Sequence, residues 1–266
     1  MTMTTRPTDM AQRAGQMTAR LALLRDEIVR RGALALQPRP EGVRGPALAR
    51  LLAELRTPVE HWQGQRRAIA AEALAGPSRP VMLLPGFGTH PARMKPLGKV
   101  LEAAGHRVSD WGLGFNFGPT EERFDRLCER VCAMARKEGE PLVLVGWSLG
   151  GIFAREVARR HPEAVRLVIT MGTPFSGDRR ANNAWRAYQM IAGHSVDDPP
   201  IGAQMAVKPP VPTIALWSAR DGIVAPRSAC GRKEERDLAV AMRCTHLGFA
   251  AHPDVAATVA RLIAAH

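Results

Sequence analysis

The chain has 266 residues, 45% of them hydrophobic, with 24 glycines and 21 prolines spread along it. That is enough to bury one full core, and it excludes a disordered or fibrous polypeptide. The net charge is +12, but no basic run reaches five residues and only one Tyr is present, so a nucleic-acid-binding face is not indicated. No apolar run reaches the roughly 18 residues that span a bilayer, and the opening MTMTTRPTDMAQRAGQ lacks the apolar stretch of a secretory signal. The expected compartment is the cytoplasm, with export from a longer precursor as the alternative.

Residues 1–79 read as a helical extension without a strand. The spacing of Met17, Leu21, Leu24 and Ile28 predicts a helix over Ala11–Arg31, stopped by Gly32. Gln37–Pro46 reads as a linker, and Ala47–Leu55 and Val59–Leu74 as shorter amphipathic helices. Residues 1–80 hold 13 Arg and seven acidic residues, so this extension is the segment suited to an acidic surface, either a membrane face or a second subunit.

From residue 80 to 266 the pattern alternates between strand and helix, which predicts an α/β domain with a doubly wound, mostly parallel six-stranded sheet. The expected strands are Val81–Leu84, His106–Trp111, Pro141–Val145, Val165–Met171, Val211–Trp217 and Leu238–Arg243. The expected helices between and after them are Met94–Ala104, Glu121–Lys137 with Thr120 as its cap, Gly150–Arg160 and Pro253–Ala264. Residues 173–210 break the alternation with two Pro-Pro pairs and the apolar Trp185, Tyr188, Met190, Ile191 and Met205. An insert of that length between strands reads as a lid over a site.

The strand Pro141–Val145 runs into Gly146-Trp147-Ser148-Leu149-Gly150 and then a helical pattern. This is the strand–turn–helix context in which a G-x-S-x-G serine is held at the tip of a tight turn. A serine is a poor nucleophile without a base and a group to orient the base. Asp221 follows the fifth strand and His246 follows the sixth, in the order Ser, Asp, His that this topology requires. Asp178, Asp197, Asp198, His194 and His252 are weaker rivals, four of them inside the insert. Oxyanion donors are expected at the N–H of Leu149 and of Phe87, in the loop Pro85-Gly86-Phe87-Gly88 after the first core strand.

These motifs resemble those of the α/β-hydrolase superfamily, and within it the serine esterases and lipases. The resemblance rests on Pro85–Gly88, Gly146–Gly150, Ser218–Val224 and His246–Phe249 and covers about residues 80–266. It implies Ser148 as nucleophile, His246 as base, Asp221 as orienting acid, and Phe87 and Leu149 as the oxyanion hole. The stretch Trp111–Pro119 resembles a loop that lines the site in some lipase-like members, with Asn116 bracing the oxyanion segment. Trp147, Phe115, Asn116 and Phe175 are the expected substrate-binding residues. The oxyanion loop opens Pro-Gly where His-Gly is more common, and the two strands that usually precede it are replaced by the helical extension.

The expected activity is hydrolysis of a carboxyl ester with an apolar acyl or alcohol group. The same triad also suits an acyltransferase or thioesterase, and a fold member without catalysis would act as a binding protein. No metal or organic cofactor is implied, and the partner is a small-molecule ester. The basic N-terminal helices are the element suited to peripheral membrane contact or oligomerisation. Cys128 and Cys132, four apart in a helical pattern, read as buried thiols. Cys230 and Cys244 flank the acid and base loops, where a disulfide would clamp the two together.

Overall fold

The computed structural model describes residues 7–56, 76–202 and 204–266, with side chains from residue 16 onward. The expected helix Val59–Leu74 lies outside the described residues. Helix α1 (Pro7–Ala35) is longer than its apolar spacing suggests, and α2 (Leu48–Ala53) is followed by a short 3-10 turn, Glu54–Arg56. Met17, Leu21, Leu24 and Ile28 of α1 are exposed.

Six strands follow: β1 (Pro80–Leu84), β2 (Arg107–Asp110), β3 (Leu142–Trp147), β4 (Val165–Met171), β5 (Thr213–Ser218) and β6 (Leu238–Met242). They form one sheet in the order β2-β1-β3-β4-β5-β6, and every neighbouring pair is parallel. β5 starts two residues later than the expected run, just after Pro212, which has no N–H to give to a ladder. β3 continues two residues past Val145, because Gly146 and Trp147 still pair with Thr170 and Met171.

Parallel strands need crossover connections, and the helices supply them. These are α3 (Lys95–Ala103), α4 (Glu121–Glu138), α5 (Leu149–Arg160), α6 (Trp185–Ala192) and α7 (Pro226–Cys230), and α8 (Pro253–Ala264) follows the last strand. Thr120 caps α4 as expected, its hydroxyl accepting the Arg123 N–H at 3.1 Å. Successive residues of β1 go to opposite layers. Val81 and Leu83 pack with Leu97 and Leu101 of α3 and Val255 and Val259 of α8. Met82 and Leu84 pack with Phe124 and Leu127 of α4 and Phe153 and Val157 of α5. Both faces are therefore covered, which is why the central strands β1 and β3 are apolar without alternation.

The chain leaves β1 for the β2 edge, then crosses back to place β3 on the other side of β1. That reversal opens a crevice at the carboxyl ends of β1 and β3, the place where open α/β sheets bind ligands. The Pro85–Gly88 loop and Ser148 both emerge there.

Candidate active site

The elbow is built by steric exclusion. Ser148 holds φ 53° and ψ −121°, and among the described residues it is the one non-glycine with positive φ. Such a conformation costs about 1–3 kcal/mol and persists only where the surroundings enforce it. A Cβ on Gly150 would lie 2.2 Å from the Leu84 carbonyl oxygen, and one on Gly146 would lie 2.5 Å from the Gly150 carbonyl. Glycine at both positions lets β3, β1 and the start of α5 close around the serine. The Ser148 N–H donates to Met171 O at 2.8 Å, anchoring the turn to β4.

Asp221 and His246 are brought together. The Asp221 Oδ2 lies 2.8 Å from His246 Nδ1, and both residues are buried. The other carboxylate oxygen accepts the N–H groups of Ile223 and Val224 at 2.9 and 2.7 Å. That leaves the acid fixed by its own loop. Burial pulls the His246 imidazole pKa down. The charge and hydrogen bond of Asp221, with Glu54 adding its charge, outweigh this and hold the pKa above the ordinary histidine value. Trp147, next to the serine, donates its Nε1–H to the His246 carbonyl at 3.1 Å, so the elbow and the base loop are in contact.

The Pro85–Gly88 loop approaches the serine closely: a Cβ on Gly86 would stand 3.3 Å from Ser148 Cβ. Asn116 braces that loop. Its Nδ2–H donates to Pro85 O at 2.8 Å and its Oδ1 accepts the Gly118 N–H at 3.2 Å. Its backbone adds two more bonds, accepting from Gly88 N–H at 2.7 Å and donating to Thr89 O at 3.0 Å.

Ser148, Leu149 and Phe87 line one cavity of about 100 Å³. The rest of its wall comes mainly from the insert, including Trp185, Tyr188, Val196, Ile201 and Met205. Tyr188 packs its ring 5.2 Å from that of Phe87, and burial pushes its phenol pKa up. The insert is held to the body by Arg155, whose guanidinium donates to the carbonyls of Met205, Ala206, Val207 and Glu235 and lies 4.2 Å from the Phe175 ring.

None of the four expected substrate-binding residues lines this cavity. Trp147 is buried and spends its indole N–H on His246 O. Phe175 is buried under Arg155, so it is a packing residue. Asn116 is 0% exposed, with its side chain committed to the loops. Phe115 is 49% exposed and stacks on Phe117 at the surface, outside the cavity wall. The signal for the lining of this cavity was the apolar content of the insert. Within it Trp185, Tyr188 and Met205 face the cavity, while Met190 and Ile191 are exposed.

Three of the rival residues are engaged otherwise. Asp197 pairs with Arg180 at 2.5 Å, His194 meets the Tyr188 hydroxyl, and the His252 ring accepts the Asp254 N–H at the start of α8. Cys230 and Cys244, like Cys128 and Cys132, form no disulfide, so no such bond clamps the loops. Among the described residues one group, Cys132, His161 and Glu163, brings metal-ligating atoms within 4.8 Å of one another. None of the three lines the cavity. No helix among the described residues is long and apolar enough to cross a membrane.

A sheet of this order with a serine elbow at its crossing point is an α/β-hydrolase fold, and residues 79–195 match the family model described as the alpha/beta hydrolase fold. The chain has the α/β-hydrolase fold, and the matched segment is less than half of its length. It is 35% identical over 104 residues to the pimeloyl-[acyl-carrier protein] methyl ester esterase of Aromatoleum aromaticum. That match covers 39% of this chain and 41% of the relative, less than half of either. Among solved structures, it resembles naproxen esterase from Bacillus subtilis at TM-score 0.50 and 15% identity, over 78% of this chain and 98% of that one. It also resembles the Paleococcus ferrophilus monoacylglycerol lipase at TM-score 0.50 and 19% identity, over 72% and 95% of the two chains. At these identities the likeness is one of fold.

Proposed function

We propose that this chain is a serine hydrolase that cleaves carboxyl esters with an apolar acyl or alcohol group. The observation that carries the reading is the 2.8 Å Asp221–His246 hydrogen bond beside an elbow serine that shares an apolar cavity with Phe87 and Leu149. With Nδ1 of His246 engaged by Asp221, Nε2 is the nitrogen left to accept a proton.

In this reading Ser148 Oγ attacks the ester carbonyl carbon while His246 Nε2 takes the hydroxyl proton. The carbonyl oxygen becomes an oxyanion, held by the N–H groups of Phe87 and Leu149. Collapse breaks the bond to the alcohol, which leaves with the proton from His246, and an acyl-serine remains. Water then attacks the acyl carbon, His246 takes its proton and returns it to Ser148, and the acid departs. Asp221 holds the imidazole in the required tautomer and stabilises its charged form.

The insert 173–210 serves as a lid in this account, since it supplies most of the cavity wall. The cavity of about 100 Å³ is small beside the roughly 300–1,000 Å³ of ordinary ligand sites, which favours short acyl groups unless the lid moves. The ester class draws support from the methyl ester esterase named above.

The test is hydrolysis of p-nitrophenyl acetate, butyrate and octanoate by the wild type and Ser148→Ala. The expected outcome is turnover that falls from butyrate to octanoate, and a loss of about 10³-fold or more in the variant. Equal rates for the two proteins would end this reading.

A further inference from the structure

A carboxylate from outside the hydrolase core is buried against both loops that carry Asp221 and His246. Glu54, just past the end of α2, is 4% exposed. Its Oε1 accepts the N–H groups of Gly222 and His246, each at 2.8 Å, and its Oε2 accepts the Leu247 N–H at 2.9 Å. The partners lie 168 to 193 residues away in sequence. Burying a carboxylate is costly unless its lone pairs are taken up, and here three backbone donors take them up.

The fit is close on the backbone side as well. A Cβ on Gly222 would stand 2.3 Å from the Arg50 carbonyl oxygen and 2.8 Å from the Leu51 nitrogen, so α2 rests directly on the acid loop. Asn183 of the insert ties the same region together, its Nδ2 donating to Pro46 O at 3.0 Å and to Gly222 O at 2.9 Å. Within the core, the Ser218 hydroxyl donates to Cys244 O at 2.6 Å and bridges the same two loops from below.

We infer that Glu54 is a positioning residue for the Asp221–His246 pair, its carboxylate holding the acid loop and the base loop in register through three N–H groups. It performs the clamping that a disulfide between Cys230 and Cys244 would have performed, and it gives the N-terminal extension a role in the site. The inference rests on the reading of Ser148, His246 and Asp221 as the catalytic set. Glu54 also acts by its field. Asp221 and Glu54 are the charged groups that bear on His246, and both raise its pKa against the effect of burial.

The test compares Glu54→Gln and Glu54→Asp with the wild type on p-nitrophenyl butyrate, with kcat expressed per site titrated by a fluorophosphonate so that unfolded molecules do not count. Gln keeps the shape but loses the charge, and its amide N–H₂ cannot accept from a backbone N–H. Glu54→Gln is expected to lower kcat about tenfold at unchanged KM. It should also move the acid limb of the kcat/KM profile to lower pH, because His246 then ionises with less help. Glu54→Asp keeps the charge and is expected to recover part of kcat with the acid limb of the wild type. Should Glu54→Gln not fold, Glu54→Asp takes its place, with a loss of kcat at unchanged KM as the expected result. Wild-type kcat per site and an unmoved limb, with only thermal stability lowered, would overturn the inference while leaving the catalytic set intact. A wild type that the probe does not label at Ser148 would remove the catalytic set and this inference together.

Discussion

Asn116→Ala isolates the brace on the oxyanion loop. The substitution removes two buried hydrogen bonds, leaving the Pro85 carbonyl and the Gly118 N–H without their side-chain partners. The two backbone bonds of residue 116, to Gly88 and Thr89, survive, so the loop stays attached and the chain still folds. Each orphaned buried group costs about 1–3 kcal/mol, which sums to about 2–6 kcal/mol. For a chain of this size that lowers the melting temperature by roughly 5–15 °C. In the proposed mechanism the Phe87 N–H then points less well at the oxyanion, and weakening one such donor costs up to about 10²-fold in kcat with little change in KM. Calorimetry and steady-state ester hydrolysis measure the two effects on one preparation. A variant that melts within a degree of the wild type and keeps its kcat would refute the assignment of Asn116 as the brace.

The other consequences are as direct. Gly150→Ala puts a Cβ 2.2 Å from the Leu84 carbonyl oxygen, so the protein should either fail to fold or lose activity, as expression and circular dichroism with an ester assay will show. Arg155→Met removes the donor to four carbonyls. Arg155 is 1% exposed, and burial has already pulled its pKa down to about 10. The expected loss is about 3 kcal/mol on thermal unfolding, and Arg155→Lys should not restore it, because one ammonium cannot span the four acceptors. The rate should also depend on pH through His246. The base must be neutral to act and its pKa is raised, so kcat/KM should fall as pH drops, with a midpoint above the ordinary imidazole value. Asp221→Asn should move that midpoint to lower pH.

Much of the core was legible because a buried parallel strand leaves an apolar run and a crossover helix leaves a 3.6-residue period. Val165–Met171 has the bounds expected from the pattern alone. The elbow, the Pro85–Gly88 loop beside it and the Asp221–His246 pairing were legible because each sits in a fixed place relative to a strand end. What the pattern did not carry is tertiary. Aromatic content suggested Phe175 and Trp147 as contacts for substrate, yet one is packed under Arg155 and the other against His246. An aromatic side chain near a site is as often part of its support as of its wall. Glu54 gave no signal at all, since a carboxylate on a short amphipathic helix reads as solvated. Only the fold reveals that its acceptors' partners lie on the acid and base loops.

The account depends on Ser148 being an activated nucleophile, and that can be measured directly. The folded protein is treated with a fluorophosphonate, and the adduct is weighed and located by mass spectrometry, with Ser148→Ala alongside. One equivalent of label on Ser148, absent from the variant, is the predicted result. A folded, detergent-treated sample that takes up no label, or takes it up elsewhere, would contradict the account.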